Sequence, residues 1–319
     1  QNYFSDLDTN DVSKAARLCK ADLVTGMVQE FTELQGEIGY YYSQKAGEKE
    51  DISYAYKEQY LPIGNSEALA SRPLSQVVNF ADKLDNLVSC FSLGKIPTGS
   101  KDPFSLRRQS LGIIKTCDKY NISLDIKSLF EYAFDVLVEQ KNVKADKSEV
   151  VGKLTEFFNQ RLKNDLIDKA FKHDLIDSVL SAKNPLSDIA SVSSKLKSLT
   201  EWLDSDSSKD TVTALARVIR ICKVDYTNEI DSSLFEKEQE GQLLEIVSSL
   251  KSTLSSLYNE KNFTEYLNKL NTLVIPVNNF FENVMVMSED EKVKNNRLSL
   301  LTSIKSFSEV IGNFDKIVL

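Results

Sequence analysis

Apolar side chains recur at steps of three and four along much of this chain. Between positions 263 and 284 they fall at Phe263, Tyr266, Leu267, Leu270, Leu273, Val274, Val277, Phe280, Phe281 and Val284, which makes one continuous helical stripe. Pro276 lies inside the stripe and predicts a kink there, because its ring removes an N–H and crowds the preceding turn. Leu243, Val247, Leu250, Leu254 and Leu257 line one face of a second helix. A third pattern starts at Ser288, with Glu291 three residues on as a capping box, and continues through Val293, Leu300, Ile304, Phe307 and Ile311. Arg297 fills the gap between 293 and 300, so it falls on the buried side of that helix. A charge there calls for a structural partner, such as Glu282 on a neighbouring helix, or for a place at the rim with the stem packed and the guanidinium free. Successive amphipathic helices with short joints read as a bundle. No segment shows sustained period-2 alternation in β-branched residues, so the fold class is all-α.

Glycine and proline divide the chain. Eight of the 11 Gly and four of the six Pro lie before residue 113, which predicts a loop-interrupted first region and long, plain helices afterwards. Polar joints are expected at 142–149, 182–188 and 204–210. The chain has 319 residues, with Lys+Arg 39 against Asp+Glu 47, a net charge of −8 that argues against bulk electrostatic binding of nucleic acid but leaves room for a local basic patch. No apolar run approaches the ~20 residues of a membrane helix. The opening QNYFSDLDTN is polar and acidic, unlike a signal peptide, and its first residue is not Met, so upstream sequence is expected.

The candidate chemistry is sparse. Cys19, Cys90, Cys117 and Cys222 form no CxxC pair, and they fit reduced thiols of a cytoplasmic protein better than a disulfide, which spacing alone permits. The single histidine, His173, excludes a multi-His metal centre within the chain and reads as structural or solvent-facing. Asp22 and Asp82 each sit in a helical pattern, where solvated acids are far commoner than metal ligands. The segment PTGSKDPFSLRRQSLGI (97–113) carries most information. Asp102 and Pro103 read as N-cap and first residue of a helix through about 119, approached by Gly99, Ser100 and Lys101. Such a helix start can hold a phosphate. As a nucleotide loop GKIPTGSK fails, since it lacks the Gly-Lys-Ser/Thr order and a preceding strand. Arg107 and Arg108 then either pair with local acids or grip a polynucleotide backbone.

Four strings give the chain a family likeness: ADLVTGMVQEFTELQGEIGYYY (21–42), PLSQVVNFADKLDNLVSCFSLGKIPTGSKDPFSLRRQSLGI (73–113), TALARVIRI (213–221) and VMVMSEDEKVKNNRLSLL (284–301). Together they resemble the C-terminal part of the β subunit of bacterial heterotetrameric glycyl-tRNA synthetases, over nearly the whole chain and most weakly at 120–205. The resemblance implies an HD-like helical domain over 1–122, a helical connector over 123–200, and an anticodon-binding helical bundle over 201–319. Active HD domains hold metal with a His-Asp doublet and a later Asp; here those positions read Ala21-Asp22 and Asp82, which implies a non-catalytic scaffold and no metal. The competing functions are a metal-dependent HD-type phosphohydrolase, which Ala21 in place of the doublet His argues against, and a protein-only helical scaffold.

The same resemblance implies that the chain recognises glycine tRNA in the cytoplasm, binding neither DNA nor a membrane. Aminoacylation with ATP and Mg then belongs to a partner α subunit, and no catalytic residue or cofactor of this chain is implied. The tRNA-binding candidates in the bundle are Arg217, Arg220, Lys223, Lys294, Asn296 and Arg297. Arg220 stands where the family more often has Asn. Lys101, Arg107 and Arg108 are the candidates in the first region.

Overall fold

The computed structural model describes residues 3–64, 66–141 and 143–319. Among these there is no β-strand, only an isolated bridge between Thr98 and Lys101. The all-α expectation holds. The chain divides into two compact units, Gln1–Asp165 with Leu186–Ala190, and Leu166–Pro185 with Ser191–Leu319. The expected joint at 182–188 is a loop carrying one 3-10 turn, and it lies where the chain crosses between units. The joint at 142–149 is non-helical from 143 to 146, while Asn142, like Gln1 and Asn2, lies outside the described residues.

The first unit is built from α1 (Thr9–Leu18), α2 (Gly26–Glu30), α3 (Glu37–Lys45), α4 (Glu50–Glu58), α5 (Pro73–Ser92), α6 (Leu106–Tyr120), α7 (Ile126–Gln140) and most of α8 (Lys147–Asp168). Pro73 opens α5 at its first turn, where a missing N–H costs nothing. Ala15, Ile52, Ala55, Tyr56, Leu74 and Val78 interlock where α1, α4 and α5 meet. Where α4 ends, its last carbonyls need donors from outside the helix. Asn79 supplies one amide group to the carbonyls of Glu58 (3.0 Å), Gln59 (3.1 Å) and Leu61 (2.8 Å), and Lys83 donates to Gln59 O at 3.1 Å.

Lys83 is only 3% exposed, and burial pushes its pKa down to about 7. Because that value lies below the unfolded one, unfolding takes up a proton between about pH 7 and 10, and stability rises with pH across this window. Lys83→Met is expected to remove that rise, as followed by urea unfolding at several pH values. A slope of stability against pH that survives the substitution would place its origin in another group.

The second unit holds α9 (His173–Val179), most of α10 (Ile189–Leu203), α11 (Asp206–Ile221), α12 (Glu238–Asn259), α13 (Phe263–Leu270), α14 (Val274–Asn283) and α15 (Glu291–Glu309). Its core joins Leu215 and Val218 of α11, Leu243 and Val247 of α12, Leu267 and Leu270 of α13, Val277 and Phe280 of α14, and Leu300 and Ile304 of α15. The apolar stripes thus face inward as their spacing predicts.

Three boundaries differ from expectation. The segment 204–210 is not a linker: α11 starts at Asp206, and Ser208 Oγ donates back to Ser205 O and Leu203 O, so the polar residues form a helix start. The break between α13 and α14 comes at a 3-10 turn, Asn271–Leu273, rather than at Pro276. Proline falls instead in the first turn of α14, where no helical partner awaits its N–H. Finally, α15 is capped by Asp290, whose carboxylate accepts from Lys292 N and Val293 N, while Ser288 Oγ only supports Asp290 N at 3.3 Å.

Candidate nucleic-acid interface

In the second unit, α11 turns Val212, Leu215 and Val218 into the core, and this leaves Arg217 and Arg220 on its outer face, one turn apart. Lys223 follows just beyond the helix, also exposed. Each cation has a different setting. The Arg217 guanidinium lies 4.1 Å over the ring of Phe281, which fixes its stem and leaves its edges to solvent. Arg220 Nε pairs with Asp315 Oδ1 at 2.5 Å, so part of its charge is spent within the chain. Among the described residues no carboxylate pairs with Lys223.

The loop after Lys223 leads into a cavity of about 440 Å³, lined by Asp225, Lys251, Tyr258, Thr302, Phe307 and Glu309 among others. Lys305 anchors its acid side by pairing with Asp225 (2.7 Å) and Glu309 (3.3 Å), and the Lys305 hydrogen bond holds the Asp225 carboxyl below its ordinary range. The cavity thus offers donors, acceptors and an aromatic ring within one recess.

Three candidates on α15 do not join this face. Arg297 is 3% exposed and forked onto the Glu240 carboxylate, Nε to Oε1 at 2.9 Å and Nη2 to Oε2 at 3.3 Å. Its Nη2 also donates to Glu236 (2.8 Å), and its Nη1 to Met285 O (3.1 Å). The structural reading of Arg297 therefore prevails, with Glu240 and Glu236 in place of Glu282, which is exposed. Asn296 is also buried; its side chain clamps the backbone of Asp231, giving Nδ2 to O at 2.9 Å and receiving N to Oδ1 at 2.8 Å. Lys294 is half-buried and paired with Glu291. Arg297 and Asn296 are corrections to the sequence-based set, because their donors are taken inside the fold, whereas the Lys294 pair with Glu291 lies at the surface.

In the first unit, the helix expected from Pro103 begins only at Leu106. Ser105 sits in the left-handed region (φ 53°), and the Asp102 carboxylate reaches past it to accept from Leu106 N at 2.8 Å and Arg107 N at 2.9 Å. A carboxylate of the chain itself thus occupies the helix start, which leaves no phosphate cradle there. Thr98 and Lys101 close the preceding turn with a pair of backbone hydrogen bonds, leaving the Lys101 side chain exposed. Arg108 is satisfied locally, donating to Gly64 O at 3.2 Å and Ser105 Oγ at 2.5 Å.

The Asp22 and Asp82 carboxylates are likewise engaged. Asp22 accepts from Gly36 N at 2.6 Å and from the Tyr60 hydroxyl at 3.2 Å, and Asp82 pairs with Lys20 at 2.9 Å. Among the described residues no three His, Cys, Asp or Glu side chains converge. His173 is exposed at the start of α9, and the four cysteines are free.

A family model described as "Glycyl-tRNA synthetase beta subunit" matches residues 2–181, more than half of the chain, and one described as "DALR anticodon binding domain" matches residues 211–312. The chain belongs to the glycyl-tRNA synthetase β-subunit family. It is 37% identical over 309 residues to the glycine–tRNA ligase beta subunit of Desulforamulus reducens, covering 97% of this chain and 44% of that protein. The corresponding protein of Clostridioides difficile is 37% identical over 311 residues, covering 98% and 44%. That of Geotalea uraniireducens is 38% identical over 310 residues, covering 96% and 44%. The chain therefore spans less than half the length of these relatives.

In this β-subunit family member, one contributor to the face is not marked by local spacing. Along the sequence Phe281 is only one more stripe residue, and its role as the platform for Arg217 depends on how α14 lies against α11.

Proposed function

We propose that this chain is the tRNA-recognition part of a glycine–tRNA ligase β subunit. It binds glycine tRNA through the outer face of α11, for aminoacylation carried out in the cytoplasm with an α subunit that uses ATP and Mg. The observation that carries this reading is the coincidence of the anticodon-binding match at 211–312 with the solvent-facing Arg217, Arg220 and Lys223 and the adjoining recess. Their charges suit RNA phosphates, and the recess has the mixed donors and acceptors that an unstacked base requires. The first unit is read as an HD-like scaffold, its two matching acids serving the fold. Among the described residues no helix is long and apolar enough to cross a membrane.

Equilibrium binding of glycine tRNA to the complete α and β assembly, at two salt concentrations, tests the proposal. Affinity is expected to fall steeply with salt, as counterion release requires, and to exceed that for a non-cognate tRNA. Equal affinity for both tRNAs would refute recognition. The chain by itself is expected to give no glycine-dependent exchange of pyrophosphate into ATP, and a measurable exchange would assign it an active site of its own.

A further inference from the structure

The recess in the second unit contains a donor whose direction the fold sets. Tyr258, half-buried in the last turn of α12, lines it together with Tyr266, Phe307 and the acids Asp225 and Glu309. Lys195 of α10 approaches the Tyr258 hydroxyl from the core, being only 7% exposed. Its ammonium donates to the Tyr258 oxygen at 3.0 Å and to Val310 O at 2.8 Å. An ammonium donates and accepts nothing, so the phenol oxygen is the acceptor in that pair. The hydroxyl's own proton is thereby turned away from Lys195, and among the described residues no acceptor takes it. The ring is fixed as well. It meets Phe263 edge-on at 5.8 Å and Tyr266 at 6.3 Å, and Lys195 Nζ lies 4.8 Å from its centroid. Tyr266 differs, because its hydroxyl is already spent on Phe307 O at 2.8 Å.

A donor held in this way is pre-organised, since the cost of orienting it is met by the fold and not at the moment of binding. The acids give the same recess an accepting side. Lys305 engages Asp225 Oδ1 and Glu309 Oε1, and the other carboxylate oxygen of each accepts nothing among the described residues. A phosphate carries acceptors only and would be repelled by the two carboxylates. The edge of a nucleobase sets an acceptor beside a donor and can use both sides. Exposed Lys183 and Lys251 also line the recess and suit the phosphates that flank such a base. We infer that Tyr258 reads the tRNA by donating its hydroxyl proton to an acceptor atom of an unstacked nucleobase in this recess, and that Lys195 is the positioning residue that orients it. This inference deepens the tRNA reading above and rests on it.

The test uses the complete α and β assembly carrying Tyr258→Phe, Lys195→Met or both, titrated with glycine tRNA and with a non-cognate tRNA over a salt series. Tyr258→Phe is expected to weaken binding of glycine tRNA about tenfold and to leave the non-cognate tRNA unaffected. The slope of log affinity against log salt should stay as in the wild type, because a hydroxyl releases no counterion. Lys195→Met is expected to lose about as much preference, and the double variant no more than either alone, since both act through one hydrogen bond. Each substitution frees a partner inside the fold, so Tm is followed in parallel and binding is read well below it. A lowered Tm with full preference for glycine tRNA would make both residues structural and overturn the inference. Equal losses for the two tRNAs, or a reduced salt slope, would overturn it in favour of a backbone contact. Additive losses in the double variant would overturn the positioning role of Lys195. If the wild-type assembly shows no preference for glycine tRNA, the broader proposal fails; if that preference is present and persists in Tyr258→Phe, only this inference fails.

Discussion

Arg297→Ala is expected to destabilise the second unit by about 3–5 kcal/mol, the range for losing one partner of a buried ion pair. The Glu240 side chain is 0% exposed, so after the substitution its carboxylate would be left with only the backbone donors of Glu236 and Lys237, at 2.8 and 2.9 Å. Those two bonds are the start of α12, so the loss would reach the helix as well as the pair. Glu236→Gln should cost far less, near the ~0–1 kcal/mol of surface pairs, because the Glu236 side chain is 60% exposed. Replacing Arg297 and Glu240 together by Met and Leu is expected to recover much of the loss, since neither charge then remains unpaired.

Acid provides an independent check on that pair. Burial alone would raise the Glu240 pKa, but the Arg297 hydrogen bond and the two backbone donors outweigh it and hold it below the ordinary carboxylate value. The pair's contribution is then fully present above the unfolded Glu pKa of about 4.3 and is lost as pH falls through the lower folded value. Denaturant unfolding from pH 7 down to pH 3 should show this loss in the wild type and a shallower one in the Met/Leu double variant. Equal acid sensitivity in the two would detach Glu240 from it.

The second large effect is expected in binding. Substituting Gln for Arg217, Arg220 and Lys223 together should reduce the affinity for glycine tRNA by about 10²-fold near physiological salt and the salt slope by about 2–3, if each meets a phosphate. The single variants should not be equal. Lys223, exposed and without an acid partner among the described residues, should contribute about one unit of slope. Arg217 should contribute similarly, its guanidinium held in place on Phe281. Arg220 should contribute least, because Asp315 already neutralises part of its charge. Fluorescence anisotropy with labelled tRNA over a salt series would measure the order. Arg220 as the strongest of the three would contradict it, and so would a triple variant with unchanged slope. These surface variants are cleaner than deleting 201–319, because that cut would remove most of a unit that begins upstream at Leu166 and includes Trp202, itself buried.

Local spacing determined a good deal. Steps of three and four at 243–257 and 263–284 place Leu243, Val247, Leu267, Leu270 and Phe280 inside, because a helix repeats its faces every 3.6 residues. The same logic put Arg297 on the buried side. The TALARVIRI and SKDPFSLRR strings carried the family, and the all-α class followed from absent alternation.

What the tertiary structure alone decided concerns partners distant in sequence. Arg297 meets Glu240 and Glu236 across 57 and 61 residues, and Asn296 clamps Asp231 across 65. Such pairings depend on how α12 and α15 pack, and sequence spacing along one helix contains no record of a neighbour's register. Asp102 likewise takes the helix start that its own motif offers to a phosphate, since the left-handed turn at Ser105 brings its carboxylate around to Leu106 N and Arg107 N. Helical periodicity determines which side of an element is buried; only the packed fold determines which buried charge finds a partner and which cation is left facing solvent.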